Sequence, residues 1–148
     1  MLKRVGELSL DYIAMHMKGD PRTMQSLAQY DSVVTDVIEF FKQFEERASR
    51  FGINNYIIDP GFGFSKTISQ NYELLAHLDE FSTLNREILV GISRKSMIYK
   101  LLGTSPDDAL SATSALHLYA LNKGASILRV HDVRQAKEVV SLYNALQQ

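Results

Sequence analysis

The sequence has 148 residues, 45% of them hydrophobic and 22% charged, with a formal net charge of −1. This is the size and mix of one ordinary globular domain, residues 1–148, and the near-zero charge gives no electrostatic case for nucleic acid or for a membrane surface. With no cysteine, disulfides, zinc–thiolate sites and thiol nucleophiles are excluded, which fits a cytoplasmic protein.

Residues 1–7 lack the apolar stretch of a signal peptide, and no apolar run approaches the ~18 residues that span a bilayer. A first strand is read at residues 12–15, short, apolar and bounded by polar residues. After it comes Met15-His16-Met17-Lys18-Gly19-Asp20-Pro21-Arg22-Thr23-Met24. A helix follows over about residues 31–50, with Val33, Val34, Val37, Ile38, Phe41 and Phe44 on one stripe. Asp31 can cap it and Gly52 lies just past its end.

The second strand, residues 56–58, runs into Asp59-Pro60-Gly61-Phe62-Gly63-Phe64-Ser65-Lys66-Thr67. A short helix is expected over about residues 71–79. The third strand, residues 87–90, leads into Gly91-Ile92-Ser93-Arg94-Lys95-Ser96 and a helix over residues 95–102. Ser105, Pro106 and Asp108 form a helix-start signal with a capping-box partner, for a helix reaching about Asn122 and stopped by Gly124. The fourth strand, residues 126–130, contains Arg129 and is followed by His131 and Asp132. Asp132 or a neighbour caps a last helix bearing Ala136, Val139, Val140, Tyr143 and Leu146.

The β-α-β-α-β-α-β-α order implies an α/β fold with parallel strands and right-handed crossovers. It suits either a small open sheet or half of an eight-stranded barrel, since a full barrel takes ~250 residues. In both, chemistry gathers beyond the C-terminal strand ends, where the four polar segments lie.

Asp59 can hold an amino-pyrimidine edge through two parallel hydrogen bonds, or cap the turn at Pro60. Gly61 and Gly63 allow close backbone approach, and Phe62 and Phe64 can cover a flat ring or simply fill a tight turn. Ser93, Arg94 and Lys95 place a hydroxyl and two cations at a helix start, which suits an anion or is a solvated basic turn. Arg129 and His131 share one side of a strand end, suited to phosphate, unless Arg129 pairs with a local carboxylate. Met15, Met17 and Met24 read as packing, His16 and His117 as structural, and His77 as surface. No metal-ligand spacing or Ser–His–Asp set is legible.

Together these segments resemble the dihydropteroate synthases. Residues 15–25 match their MHMxGxPxTMQ stretch, residues 59–66 their DPGFGFxK motif, residues 91–96 their GxSRKS motif and residues 129–133 their RVHDV motif. The resemblance covers nearly the whole chain. It implies four βα units equivalent to the C-terminal half of a (β/α)8 TIM barrel, strands five to eight. It also implies folate biosynthesis: transfer of a pterinylmethyl group from 6-hydroxymethyl-7,8-dihydropterin pyrophosphate to p-aminobenzoate, the step sulfonamides target.

By position, Met15, Asp59, Gly63, Phe64 and Lys95 would bind pterin. Phe64, Ser93 and Arg94 would face aminobenzoate, and Arg129 and His131 would hold pyrophosphate. Lys95, Arg129 and His131 would be the catalytic set. Ser65 departs from the usual Gly, and Asp20 occupies a variable position. The family's first four strands have no counterpart in this sequence. Among what they carry is the Asn that binds Mg2+, so no metal is expected in this chain. The expectation is therefore a chain inactive alone, with open barrel edges that favour a homodimer or other self-association. Two alternatives are a pterin- or methyltetrahydrofolate-binding methyltransferase domain and a non-enzymatic fragment. The Ser93–Lys95 segment and the Arg129/His131 pair favour the synthase.

Overall fold

The computed structural model describes residues 1–20, 22–24 and 26–147. Pro21 and Gln25 of the first motif lie outside the described residues. Four short strands carry the architecture. β1 (Ile13–Met15) pairs in parallel with β2 (Ile57–Asp59), setting Met15 opposite Asp59. β3 (Leu89–Val90) pairs in parallel with β4 (Ile127–Leu128). A parallel bridge between Ile58 and Ile88 joins the two pairs. The order is thus β1-β2-β3-β4 with every C-terminal end on the same side, as expected for four βα units. The strands are shorter than their apolar runs because pairing lapses at the ends. The Arg129 amide still donates to the Val90 carbonyl at 2.9 Å, which holds the chain in line past β4.

Helix α1 (Leu2–Glu7) has no side-chain cap, and the sequence carries no periodic signal for it. It sits so close to the end of the next helix that a Cβ on Gly6 would lie 2.0 Å from the Phe51 carbonyl oxygen. α2 (Val33–Ser49) is capped by Ser32, not Asp31. Ser32 is extended and its hydroxyl accepts from the Thr35 amide at 3.4 Å. The apolar stripe of α2 is buried as its spacing predicts, with Ile38 at the margin.

α3 (Ile68–Ala76) begins three residues earlier than expected. A reciprocal Thr67–Gln70 capping box fixes its start, and a 3-10 segment (Leu78–Leu84) follows. α4 (Ser96–Leu102) ends on Gly103 at φ +65°. The Ser105 signal is real, since its hydroxyl donates to Asp108 Oδ2 at 2.7 Å and accepts from the Asp108 amide. It starts a 3-10 turn (Asp107–Ala109), and only then does α5 (Leu110–Asn122) run.

α6 (Val133–Leu146) buries Ala136 and Val139. Its expected stripe is otherwise turned outward, with Leu146 70% exposed and Val140 37% exposed. Asp132 stands at its N-cap position but makes no cap bond, because its carboxylate is taken by Arg94.

The core lies between the sheet and α2, α3 and α4. Phe41, Phe62 and Phe81 are each at most 1% exposed at its centre. Truncating a ring packed this way to Ala costs about 3–5 kcal/mol. No helix among the described residues is long and apolar enough to cross a membrane.

Candidate active site

The four strands deliver the sequence-predicted polar segments to one rim, with Asp59 at its centre. Asp59 ends β2 and is 2% exposed. Its Oδ1 accepts from the Gly61 amide at 2.8 Å, and its Oδ2 lies 3.8 Å from Arg129 Nη2. Burial pushes its carboxyl above the usual range, opposed by the Gly61 N–H and then by Arg129, Lys95 and Lys66. Three cations, Arg129, Lys95 and Lys66, thus act on one buried carboxylate.

The loop after β2 folds tightly over this carboxylate. Gly61 has φ +74°, and a Cβ there would lie 1.9 Å from the His16 carbonyl oxygen, so no other residue fits. Gly63 has φ +81°, and its amide donates to Asn71 Oδ1 at 2.7 Å. Phe62 is fully buried and belongs to the core, which corrects the expectation that it could cover a flat ring. Phe64 does face the rim. Lys95 Nζ donates to the Phe62 carbonyl and lies 4.7 Å from the Phe64 ring centroid. Burial, then Arg129, draws Lys95 down to about 8, while Asp59 opposes the shift.

A cleft of about 240 Å³ opens beside this loop, lined by Phe64, Gly91, Ser93, Lys95, Arg129 and His131 among others. Arg129 lies flat over Gly91, where a Cβ would meet its Nη2 at 2.8 Å. The buried Ser93 hydroxyl accepts from the His131 amide at 3.2 Å and sits 3.0 Å from His131 Nδ1. Arg129 and His131 are both exposed at the mouth of the cleft, as their alternation predicts.

Met15 lies apart from this cleft. It borders an apolar hollow of about 570 Å³ on the outer side of β1, with Ala14, Phe40 and Phe44. Arg94 is fully engaged elsewhere. At φ +52° it forms a two-point pair with Asp132 at 2.8 and 2.9 Å and donates to the Pro106 and Asp107 carbonyls. It ties the start of α6 to the 3-10 turn before α5. Its amide also donates to Thr113 Oγ1 at 3.1 Å.

A family model described as pterin binding enzyme matches residues 1–131. The chain belongs to the pterin binding enzyme family. Within that family it is similar to the dihydropteroate synthase of Escherichia coli K12, at 42% identity over 146 residues, which are 97% of this chain and 52% of that protein. A crystal structure of the Yersinia pestis dihydropteroate synthase in a sulfonamide drug complex matches with TM-score 0.95 and 39% identity. That match covers 99% of this chain and 54% of the other. The Thermus thermophilus enzyme in complex with 6HMPPP matches with TM-score 0.95 and 38% identity, over 100% of this chain and 60% of the other. The chain spans about half the length of the curated relatives it matches. Four parallel βα units with this coverage are consistent with a partial TIM barrel.

Three further residues of this chain structure the rim. Lys66 and Asn71 are buried polar groups that bind the loop after β2, and Gly91 makes room for Arg129. Lys66 and Gly91 stand inside motifs where other residues draw attention, and Asn71 has no local signal. Among the described residues no three His, Cys, Asp or Glu side chains converge as a metal ion requires.

Proposed function

We propose that residues 1–148 form a single pterin-binding half-barrel domain of a cytoplasmic dihydropteroate synthase. The observation that carries this reading is the buried Asp59 carboxylate, 3.8 Å from Arg129, which in turn lines a cleft with Lys95 and His131. A carboxylate held this way accepts two parallel hydrogen bonds from the amino-pyrimidine edge of a pterin. In the relatives' reaction the amine of p-aminobenzoate displaces pyrophosphate from the pterin methylene carbon. Arg129 and His131 offer donors where pyrophosphate leaves, and their fixed charge stabilises what develops there. Lys95, held at the Phe62 carbonyl and over the Phe64 ring, would reach the pterin, Phe64 would stand between pterin and aminobenzoate, and Ser93 orients His131. The work is positional and electrostatic, and no general base need be invoked.

Mg2+ belongs to the full-length enzymes and would be held by groups outside this chain. The chain by itself makes no dihydropteroate at a useful rate. It takes neither nucleic acid nor membrane as partner, and it self-associates. Two apolar hollows support self-association, one of about 570 Å³ outside β1 and one of about 640 Å³ between β4 and α6. A homodimer or larger species is expected in light scattering at micromolar concentration, and a clean monomer would count against it.

The central test is titration of the purified chain with pterin pyrophosphate, with methyltetrahydrofolate as competitor. Saturable pterin pyrophosphate binding is expected. Preference for methyltetrahydrofolate would point to a methyltransferase domain instead. Turnover near that of a full-length synthase would overturn the view that the chain is inactive alone.

A further inference from the structure

Lys66 is 4% exposed and points inward under the loop after β2. Its nitrogen donates to the Gly61 carbonyl at 3.1 Å and the Phe64 carbonyl at 3.1 Å, and lies 2.9 Å from His16 Nδ1. With His16 as its Nε2–H tautomer, each of the three ammonium protons has an acceptor. We infer that Lys66 is a positioning residue, a buried three-legged strut that sets the loop carrying Asp59, Gly63 and Phe64 against the end of β1; this rests on the pterin-binding reading above.

Three observations support the strut. The two carbonyls can only accept, so Lys66 donates to both, and with His16 as its Nε2–H tautomer the ammonium supplies the third proton, although burial draws Lys66 down to about 7. His16 is held neutral, lowered to about 3 by burial and by Lys66, so its Nδ1 accepts when the proton sits on Nε2. The Phe40 ring stands edge-on to His16 at 4.9 Å and 89°, which fixes the imidazole. The two loops are also welded nearby. The Lys18 amide donates to Ser65 Oγ at 2.8 Å, and Tyr30 donates to the Ser65 carbonyl at 3.0 Å. Lys66 lies between this weld and Asp59. Its loss would take a donor from the carbonyls at both ends of the Gly61–Phe64 turn, leaving the Gly61 carbonyl only the Phe64 amide.

Lys66→Met keeps the stem and removes the charge. The ligand-free variant should show displaced or broadened amide resonances for Gly61, Gly63 and Phe64 in 1H–15N spectra, with the rest of the spectrum kept. Its affinity for 6-hydroxymethylpterin, followed by fluorescence, should fall at least tenfold. A rescue is available because the chain has no cysteine. Lys66→Cys, alkylated with 2-bromoethylamine while unfolded and then refolded, rebuilds an ammonium at nearly the same place. It should recover affinity to within about threefold, a recovery that a purely packing role would not require. Unmoved loop resonances in K66M, affinity within twofold of the parent, or no recovery on aminoethylation would overturn the inference. Should K66M fail to fold, His16→Leu removes one leg only and should weaken pterin binding at least threefold; unchanged affinity there would also overturn it. A parent chain that binds no pterin would refute the proposed function, while the ligand-free spectra would still decide the strut.

Discussion

Replacing Asp59 with Asn tests the centre of the site with almost no change in shape. The Gly61 amide keeps an acceptor, since the amide oxygen of Asn can stand where Oδ1 stands. What is lost is the charge and one acceptor, because the amide nitrogen presents donors to the donors of an amino-pyrimidine. A hydrogen bond to a charged group is worth about 1.5–3 kcal/mol, so pterin affinity should fall about 10- to 150-fold. Stability should move the other way. Burial raises the Asp59 pKa above its unfolded value. The stability this group contributes is therefore fully present below the unfolded pKa and lost as pH rises through the folded pKa. D59N lacks that loss, so it should gain on the parent between pH 4 and pH 7. Urea unfolding at both pH values, beside a pterin titration, reads both effects. Pterin affinity within twofold of the parent would remove Asp59 from the site. A variant that loses stability on going to pH 7 would show that attraction to Lys66, Lys95 and Arg129 outweighs burial.

Gly91→Ala introduces a Cβ that meets Arg129 Nη2 at 2.8 Å and Nε at 2.9 Å, with no positive φ at the position. It should unfold within about 1 kcal/mol of the parent, yet bind pyrophosphate several-fold more weakly in calorimetry as Arg129 leaves Asp59. Ser65→Gly relieves a residue at φ +48° but strips the acceptor from the Lys18 amide. The two effects are each about 1 kcal/mol, so the melting temperature should barely change while hydrogen exchange at the Lys18 amide quickens. His117 is buried, and its Nε2 has no hydrogen-bond partner. His117→Leu should stabilise the fold by about 1 kcal/mol. Because burial lowers the His117 pKa, the parent should lose stability as pH falls below the unfolded value, and the variant should lose less.

The strands, their order and the common rim were legible because short apolar runs alternate with a 3.6-residue stripe, and because Asp59, Lys95, Arg129 and His131 stand at or soon after the ends of those runs. The α2 stripe was read almost residue for residue. What escaped was set by bonds between distant segments. Asp132 reads as a helix cap, but Arg94, 38 residues away, takes its carboxylate. Phe62 and Phe64 look equivalent two residues apart, yet the turn at Gly61 and Gly63 sends one into the core and the other to the cleft. Lys66 and Asn71 gain meaning only from the loop they bind. The outward face of α6 resembles a buried stripe in sequence, and nothing in one chain's pattern says what such a stripe packs against.

The parallel pairing of all four strands also bears on how the chain reaches this state. Ile13 meets Ile57, Ile58 meets Ile88 and Leu89 meets Ile127. Every rung of the ladder therefore closes a loop of about 30 to 45 residues before it returns any contact. No hairpin can form early and template the rest, so each crossover helix must be at least partly wound before its strand finds a neighbour. Refolding should consequently be slow for a chain of this length. The rim cannot form ahead of the sheet, since Asp59 and Arg129 come together only when β2, β3 and β4 are all in place.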